Sequence, residues 1–167
     1  MAAAAAAVAR LDAAALRARR DALVGLLADA IESNASVGYV LPFDRGRLHA
    51  YWDGIVDDVE RGERVVFACL DDGRIVGSVQ LAPCPKPNQP HRADVQKLLV
   101  LRSHRGRGIA SALMHALEAH ARAAGRWLLL LDTRTGSEAD GLYRRWQWQP
   151  LGIVPQFALD PDGTMAD

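Results

Sequence analysis

The sequence is short of several features that would each have named a class. Only two of its 167 residues are cysteines, Cys69 and Cys84, and they lie far apart without metal-ligand spacing. That argues against a disulfide scaffold or a structural zinc site and for two reduced thiols. There is no excess of either charge: 20 Lys and Arg balance 20 Asp and Glu. A general nucleic-acid binder needs a basic excess to neutralise phosphates, so nucleic acid is not an expected partner. No apolar run is long enough to cross a bilayer, so no membrane association is expected. The alanine-rich start, Met1 to Ala9, lacks the basic and strongly apolar regions of a secretory signal. It reads as a ragged terminus leading into the first element, with a cytoplasmic location following by default.

What is present reads as one folded domain. Half the residues are hydrophobic, enough for a real core. Asp12 can cap a helix running towards Ser33, with Leu16, Leu23, Leu27 and Ile31 at mostly helical spacing. A second helix is predicted from Arg45 to Glu60, with Leu48, Trp52, Ile55 and Val59 on one face. Strands are predicted over Arg64–Leu70 and Arg74–Leu81, joined at Asp72-Gly73. The proline-rich stretch Pro83–Pro90 must be a loop. A long strand from Ala93 to Leu101 leads into a helix from Gly108 to Ala124, and Gly125 stops it. Trp127–Leu131 reads as a fully buried strand. Ser137 with Asp140 resembles a capping box and opens a helix through Trp146, and a last strand is predicted over Gln149–Leu159. The fold class expected is α+β, a mixed sheet with flanking helices.

The segment that carries chemistry is Val100-Leu101-Arg102-Ser103-His104-Arg105-Gly106-Arg107-Gly108-Ile109-Ala110. An apolar strand enters a turn of glycines and arginines, and the turn opens an amphipathic helix. Glycines let backbone approach a ligand closely, and the free N–H groups and dipole at a helix start favour an anion. A diphosphate would suit the place. A P-loop is excluded because no Lys-Ser or Lys-Thr occurs, and a dinucleotide fingerprint because its third glycine is absent. On the turn alone, an anion cradle and a plain polar turn with solvated arginines are equally good readings.

Arg105-Gly106-Arg107-Gly108-Ile109-Ala110 resembles the R/Q-x-x-G-x-G/A signature of the GNAT acetyltransferases, with the strand and helix on the sides where that family has them. Ala35–Gly38, Lys86-Pro87-Asn88, Arg92–Leu98, Leu131-Asp132-Thr133 and Pro161-Asp162-Gly163 are similar to the family's tabtoxin-resistance subgroup, which acetylates an amino-acid-like toxin. The resemblance implies a mostly antiparallel sheet with a splayed parallel pair. It implies acetyl-CoA as co-substrate, with the backbone of Leu99, Val100 and Leu101 along the pantetheine arm. The Val100 N–H would face the thioester carbonyl, and Arg105, Gly106, Arg107, Gly108, Ile109 and Ala110 would surround the pyrophosphate. It implies Tyr143 near the coenzyme sulfur, where a phenol could protonate the departing thiolate. It also puts Asp94 and Asp132 near the substrate amine.

Each of these has a plainer reading: Tyr143 as a core residue beside Leu142 and Trp146, Asp132 as a turn former, Asp94 as a solvated strand residue beside Arg92. His115 and His120 are five apart on one helix and make a poor metal pair, and no metal is expected. Neither cysteine sits in a Cys/His arrangement, so direct attack by the amine is preferred to an acyl-enzyme route.

The resemblance also sets out departures. Trp146-Gln147-Trp148 stands where many members have a helix-closing glycine. A final strand is expected after Asp162-Gly163, yet the chain stops at Asp167. A sheet edge left open there could be filled by a partner, a homodimer being one such arrangement. The expected acceptor is a small-molecule amine. A protein N-terminal acetyltransferase and a non-catalytic acetyl-CoA-binding protein are the competing readings. The first would need a peptide groove from Pro83–Arg92, and the second leaves Tyr143 and the two acids without a task.

Overall fold

The computed structural model describes residues 7–167. The chain gathers into two compact units. One comprises the chain up to Ala30 together with Asp44–Leu131, and the other comprises Ile31–Phe43 with Asp132–Asp167.

The first unit is built on a five-stranded sheet in sequence order. β1 (Ala7–Leu11), β2 (Val65–Asp71), β3 (Arg74–Pro83) and β4 (Arg92–Val100) pair antiparallel, and β5 (Leu128–Leu130) joins β4 in parallel. The ragged terminus expected over Met1 to Ala9 lies outside the described residues up to residue 6, and its last three residues, Ala7–Ala9, belong to β1. Its short alanine-rich run takes a strand because Ala7–Leu11 pairs with Val66–Leu70 of β2, and only Leu11 is buried. The hairpin between β2 and β3 turns at Asp72 and Gly73, both with positive φ.

The predicted first helix is two helices. Asp12 accepts from the Ala15 N–H at 2.7 Å and caps α1 (Ala13–Ala18), which ends at Arg19, and α2 (Arg20–Glu32) follows. Leu16, Leu23, Leu27 and Ile31 are all buried as the spacing requires. α3 (Arg45–Glu60) buries Leu48, Trp52, Ile55 and Val56, and its Asp53 and Asp58 pair with Arg20 and Arg61. α4 (Ile109–Ala123) buries Ile109, Leu113, Met114, Leu117 and Ala121 and packs across β3, β2 and β4.

Gly77 makes that packing close. A Cβ built there would lie 2.9 Å from the Leu99 carbonyl oxygen, 3.0 Å from Ile109 Cγ2 and 3.1 Å from Leu113 Cδ1. Gly77→Ala should therefore cost about 1–3 kcal/mol by overpacking. Gly54→Ala, where a Cβ meets nothing within 4 Å, should add about 0.5–1 kcal/mol by favouring α3. Denaturant melts of both variants check the pair; equal stabilities would remove Gly77 from its role in seating α4.

β5 is not the buried strand that its run of leucines predicts. It pairs over three residues at the sheet edge, and Trp127, 73% exposed, stacks on the ring of His91 at 4.5 Å. An edge position leaves one side of the strand without a neighbour, so the apolar run is only part covered.

In the second unit, α5 (Glu138–Arg145) is capped by Ser137, whose hydroxyl accepts from the Asp140 N–H at 3.1 Å. The predicted strand over Gln149–Leu159 is not made. Its last two residues form β6 (Ala158–Leu159), paired with β7 (Met165–Ala166) around a turn at Asp162 and Gly163. Pro150 and Pro155 lack the N–H that a ladder needs, and this shortens the strand. Both cysteines are free, and no helix of the described residues is long and apolar enough to cross a membrane.

Candidate active site

In the first unit the site grows from the way β4 leaves its neighbours. β5 accompanies β4 only at Arg92, Ala93 and Asp94. Beyond Asp94 the rest of β4 has no strand on that side, which is the splayed parallel pair. Against β3 the register shifts: Gln80 faces Gln96 but Ser78 faces Leu99, so Lys97 and Leu98 oppose Val79 alone. This is a β-bulge, and Lys97 takes φ +50 to make it.

After the bulge, strand alternation decides which amides face the gap. Leu101 donates to the Val76 carbonyl at 2.9 Å, and the Leu99 carbonyl lies against Gly77. Both residues thus turn their backbone towards β3. Val100, between them, turns its N–H and C=O the other way. Of Leu99, Val100 and Leu101, Val100 is the one that turns its backbone away from β3, and the Leu99 side chain is buried in the core. The Arg105 Nε donates to the Val100 carbonyl at 3.4 Å.

The chain then makes a 3-10 turn over Arg102–His104. Asp29 ties this turn to α2, accepting from the Arg102 N–H at 2.9 Å and from its Nε at 2.8 Å. Burial pushes the Asp29 carboxyl up, but the bonds from Arg102 and the charges of Arg102 and Arg105 outweigh it and hold the group below the ordinary carboxylate range. Asp71 at the end of β2 faces the turn from the sheet, 3.5 Å from His104 Nε2 and 4.0 Å from Arg107 Nη1.

Gly106 (φ +75) and Gly108 (φ +77) complete the turn, and Gly108 is the residue from which α4 starts. No side chain caps α4 there, so its opening amides from Ile109 onward lack intrahelical partners. A Cβ added at either glycine would meet nothing within 4 Å. Open space in front of uncapped helix amides, with Arg105 and Arg107 exposed beside it, fits a pyrophosphate. Ile109 contributes backbone alone, because its side chain is buried.

Asp94 is on β4 opposite Leu130 and is ion-paired to Arg92 at 3.1 Å, so much of its charge is already answered within the protein. A further polar group, which no motif announces, sits beside the bulge. Gln80 is fully buried, and its Oε1 accepts from Tyr51 Oη at 3.0 Å and from Arg64 Nη1 at 2.9 Å. Lys97 Nζ stands 5.7 Å from the centre of the Tyr51 ring. Only an amide in a mostly apolar strand hinted at it.

In the second unit, Asp132 and Tyr143 are brought together electrostatically. Tyr143 is half-buried, between Trp146 and Trp148 at centroid distances of 5.9 and 5.7 Å. Burial first, and then the negative charge of Asp132, push its phenol up to about 12. The missing glycine after α5 is answered by Gln147, which adopts φ +63. Trp148 donates to the Tyr143 carbonyl and Gln147 to that of Arg144, each at 3.0 Å, which is a complete Schellman closure. Asp140 accepts from the Gly136 N–H and from Arg144, which lower its carboxyl from the ordinary value. Among the described residues no cluster of His, Cys, Asp and Glu could hold a metal.

Residues 18–147 match the family model described as the acetyltransferase (GNAT) family. The chain belongs to the GNAT acetyltransferase family. It is an acetyltransferase, and acetyl-CoA is the usual co-substrate of that family. An uncharacterised N-acetyltransferase of the hisH-hisA intergenic region of Azospirillum brasilense is 35% identical over 64% of this chain, a stretch spanning 62% of that protein. The L-methionine sulfoximine/L-methionine sulfone acetyltransferases of Pseudomonas paraeruginosa and Pseudomonas aeruginosa are each 27% identical, over 80% of this chain and 78% of theirs. Among solved structures, an N-acetyltransferase from Staphylococcus aureus Mu50 superposes with a TM-score of 0.78 at 21% identity, covering 98% of this chain and 94% of that one. That likeness bears on the fold.

Proposed function

We propose that this GNAT protein transfers the acetyl group of acetyl-CoA to the primary amine of a small amino-acid-like molecule by direct attack, the whole chain acting as one cytoplasmic catalytic domain. The observation that carries this reading is the splay of β4 from β5, which leaves the Val100 N–H on the side of β4 that β5 does not cover, on the strand that leads into the uncapped start of α4. Acetyl-CoA supplies the activated thioester. Val100 donates to its carbonyl oxygen as negative charge builds there. The amides from Gly106 to Ala110 hold the pyrophosphate, with Arg105 and Arg107 adding charge. The neutral amine nitrogen bonds to the carbonyl carbon, the C–S bond breaks, and its electron pair leaves on sulfur. Tyr143 offers its phenolic proton to that sulfur. The proton lost by the amine passes to water or to an aspartate.

The acceptor class rests on the similarity to the two methionine sulfoximine acetyltransferases and on the carboxylates Asp94 and Asp132, which suit an ammonium group. They are not equal. Asp94 is neutralised by Arg92, whereas Asp132 is exposed and its carboxylate has no hydrogen bond or ion pair among the described residues. Asp132→Asn should therefore raise acceptor KM or lower kcat more than Asp94→Asn, with coenzyme affinity unchanged in both. The amine binds charged and reacts neutral, so the rate should climb with pH until the bound amine is largely deprotonated. Steady-state assays over amino acids, polyamines, aminoglycosides and short peptides test the assignment. Selectivity for peptides, with full activity in both variants, would reject the acceptor class. Coenzyme binding without turnover of any of these amines would likewise reject the acceptor class.

A further inference from the structure

The direction of the Val100 N–H depends on the alternation of β4, and that alternation changes along the strand. At its start the Arg92 carbonyl accepts from the Cys84 N–H at 3.0 Å, so Arg92 turns its backbone to β3. Regular alternation would turn Asp94, Gln96, Leu98 and Val100 the same way. Past the bulge it is Leu99 and Leu101 that face β3. The extra residue between Gln96 and Leu99 has reversed the pattern, and Val100 faces away from β3 only because of it. A strand without that residue, or with it displaced beyond Val100, would turn the Val100 N–H into β3.

The bulge is held from both ends. Downstream, Leu101 donates to the Val76 carbonyl and the Leu99 carbonyl lies against Gly77. Upstream, the last regular pair is Gln80 with Gln96, and one guanidinium fastens it. Arg64 Nη1 donates to Gln80 Oε1 at 2.9 Å and to Gln96 Oε1 at 2.7 Å, while its Nε donates to Asp58 Oδ2 of α3 at 3.1 Å. Its side chain is only 15% exposed. Arginine can only donate, so both glutamines turn an oxygen to it. Gln80 does so although its Nε2 is left buried and without a hydrogen-bond partner among the described residues. Lys97, the next residue after Gln96, takes φ +50, a backbone that persists only where its surroundings over-determine it. We infer that Arg64 is a positioning residue for acetyl transfer: by tying Gln80 to Gln96 it keeps the extra residue of β4 between Gln96 and Leu99, and so aims the Val100 N–H. The inference rests on the role proposed for Val100.

Arg64→Met, Gln96→Leu and the double variant Arg64→Met/Gln80→Met test it. In Arg64→Met, backbone nuclear Overhauser contacts between β3 and β4 should no longer place the bulge between Gln96 and Leu99. One oxyanion donor is worth on the order of 100- to 1,000-fold in kcat, and its misdirection should cost at least about 10-fold. Calorimetric affinity for coenzyme A should stay within about twofold, because the turn that offers its amides to phosphate is untouched. Gln96→Leu cuts the same tie from an exposed position and should move the bulge and lower kcat with the fold retained. Thermal melts separate positioning from stability. Arg64→Met leaves the buried Gln80 amide unanswered and should melt about 2–10 °C lower. The double variant removes both polar groups and should recover most of that loss, while its kcat stays low. A kcat that returns with the stability overturns the inference, since Arg64 would then only hold the fold together. Unchanged contacts between β3 and β4 in both single variants overturn it too, and so does a displaced bulge with wild-type kcat. A wild type that acetylates no amine would instead remove the role of Val100, and the contacts between β3 and β4 would still decide whether Arg64 holds the bulge.

Discussion

Tyr143→Phe should lower kcat while leaving coenzyme affinity and acceptor KM nearly unchanged. One positioned proton donor is worth on the order of 100- to 10,000-fold, and the loss here is expected nearer the lower end. The reason is the phenol's own chemistry. Burial and Asp132 push it up to about 12, so it is neutral throughout any ordinary assay. A thiol ionises near 8.5, so a departing thiolate is a weaker base than this phenolate. Tyr143 therefore acts chiefly by donating a hydrogen bond as charge gathers on sulfur, with the proton following late. The substitution keeps the ring and its contacts with Trp146 and Trp148, and circular dichroism should show no change in fold. Two pH signatures accompany it. The raised phenol gives the wild type no falling limb below about pH 11, so the rise in rate with pH belongs to the acceptor amine. Removing the Asp132 charge by Asp132→Asn should bring the Tyr143 titration down from about 12, readable by ultraviolet difference absorbance. Equal turnover in Tyr143→Phe and wild type would leave Tyr143 as a packing residue.

The parts of this protein legible in the sequence are those governed by local rules. α3 begins and ends where its apolar spacing puts it, α4 where Gly108 and Gly125 bracket it, and the β2–β3 hairpin where Asp72-Gly73 turns. The family followed from six residues, because only glycines at Gly106 and Gly108 allow positive φ in front of an open helix start. The misreadings have a common cause: strand status depends on a neighbour supplied from far along the chain. β1 is poor in strand formers but has β2 to pair with; Gln149–Phe157 carries Ile153, Val154 and Phe157, but Pro150 and Pro155 interrupt it and no strand pairs with it among the described residues. β5 reads as buried because its leucines are contiguous, yet it has a neighbour on one side only. At the site, the signature located the turn, whereas the choice of Val100 over Leu99 and Leu101 depends on which amides β3 consumes. The Arg92 partner of Asp94 was adjacent in sequence but could not be weighed without the 3.1 Å contact.

Gly108→Val should abolish measurable coenzyme binding in a protein that still folds. Two effects of the substitution must be separated, and the structure allows it. Gly108 holds φ +77, a left-handed backbone that costs an L residue about 1–2 kcal/mol and suits valine least. That strain acts on stability. The second effect is steric and acts on the ligand: a Cβ added at Gly108, the residue from which α4 starts, meets no protein atom within 4 Å, so a bulkier side chain would occupy open space at the helix start. If that space is where the pyrophosphate sits, valine takes its place and separates it from the N–H groups. Gly62→Val is the control, since Gly62 has nearly the same backbone (φ +73), equally empty surroundings and a position on the loop between α3 and β2. Both variants should lose similar stability in thermal melts. Only Gly108→Val should lose the heat of coenzyme binding in calorimetry performed below the melting transition. An unchanged affinity in folded Gly108→Val would mean that the turn is a polar corner with solvated arginines, and the coenzyme site would have to be sought elsewhere along β4.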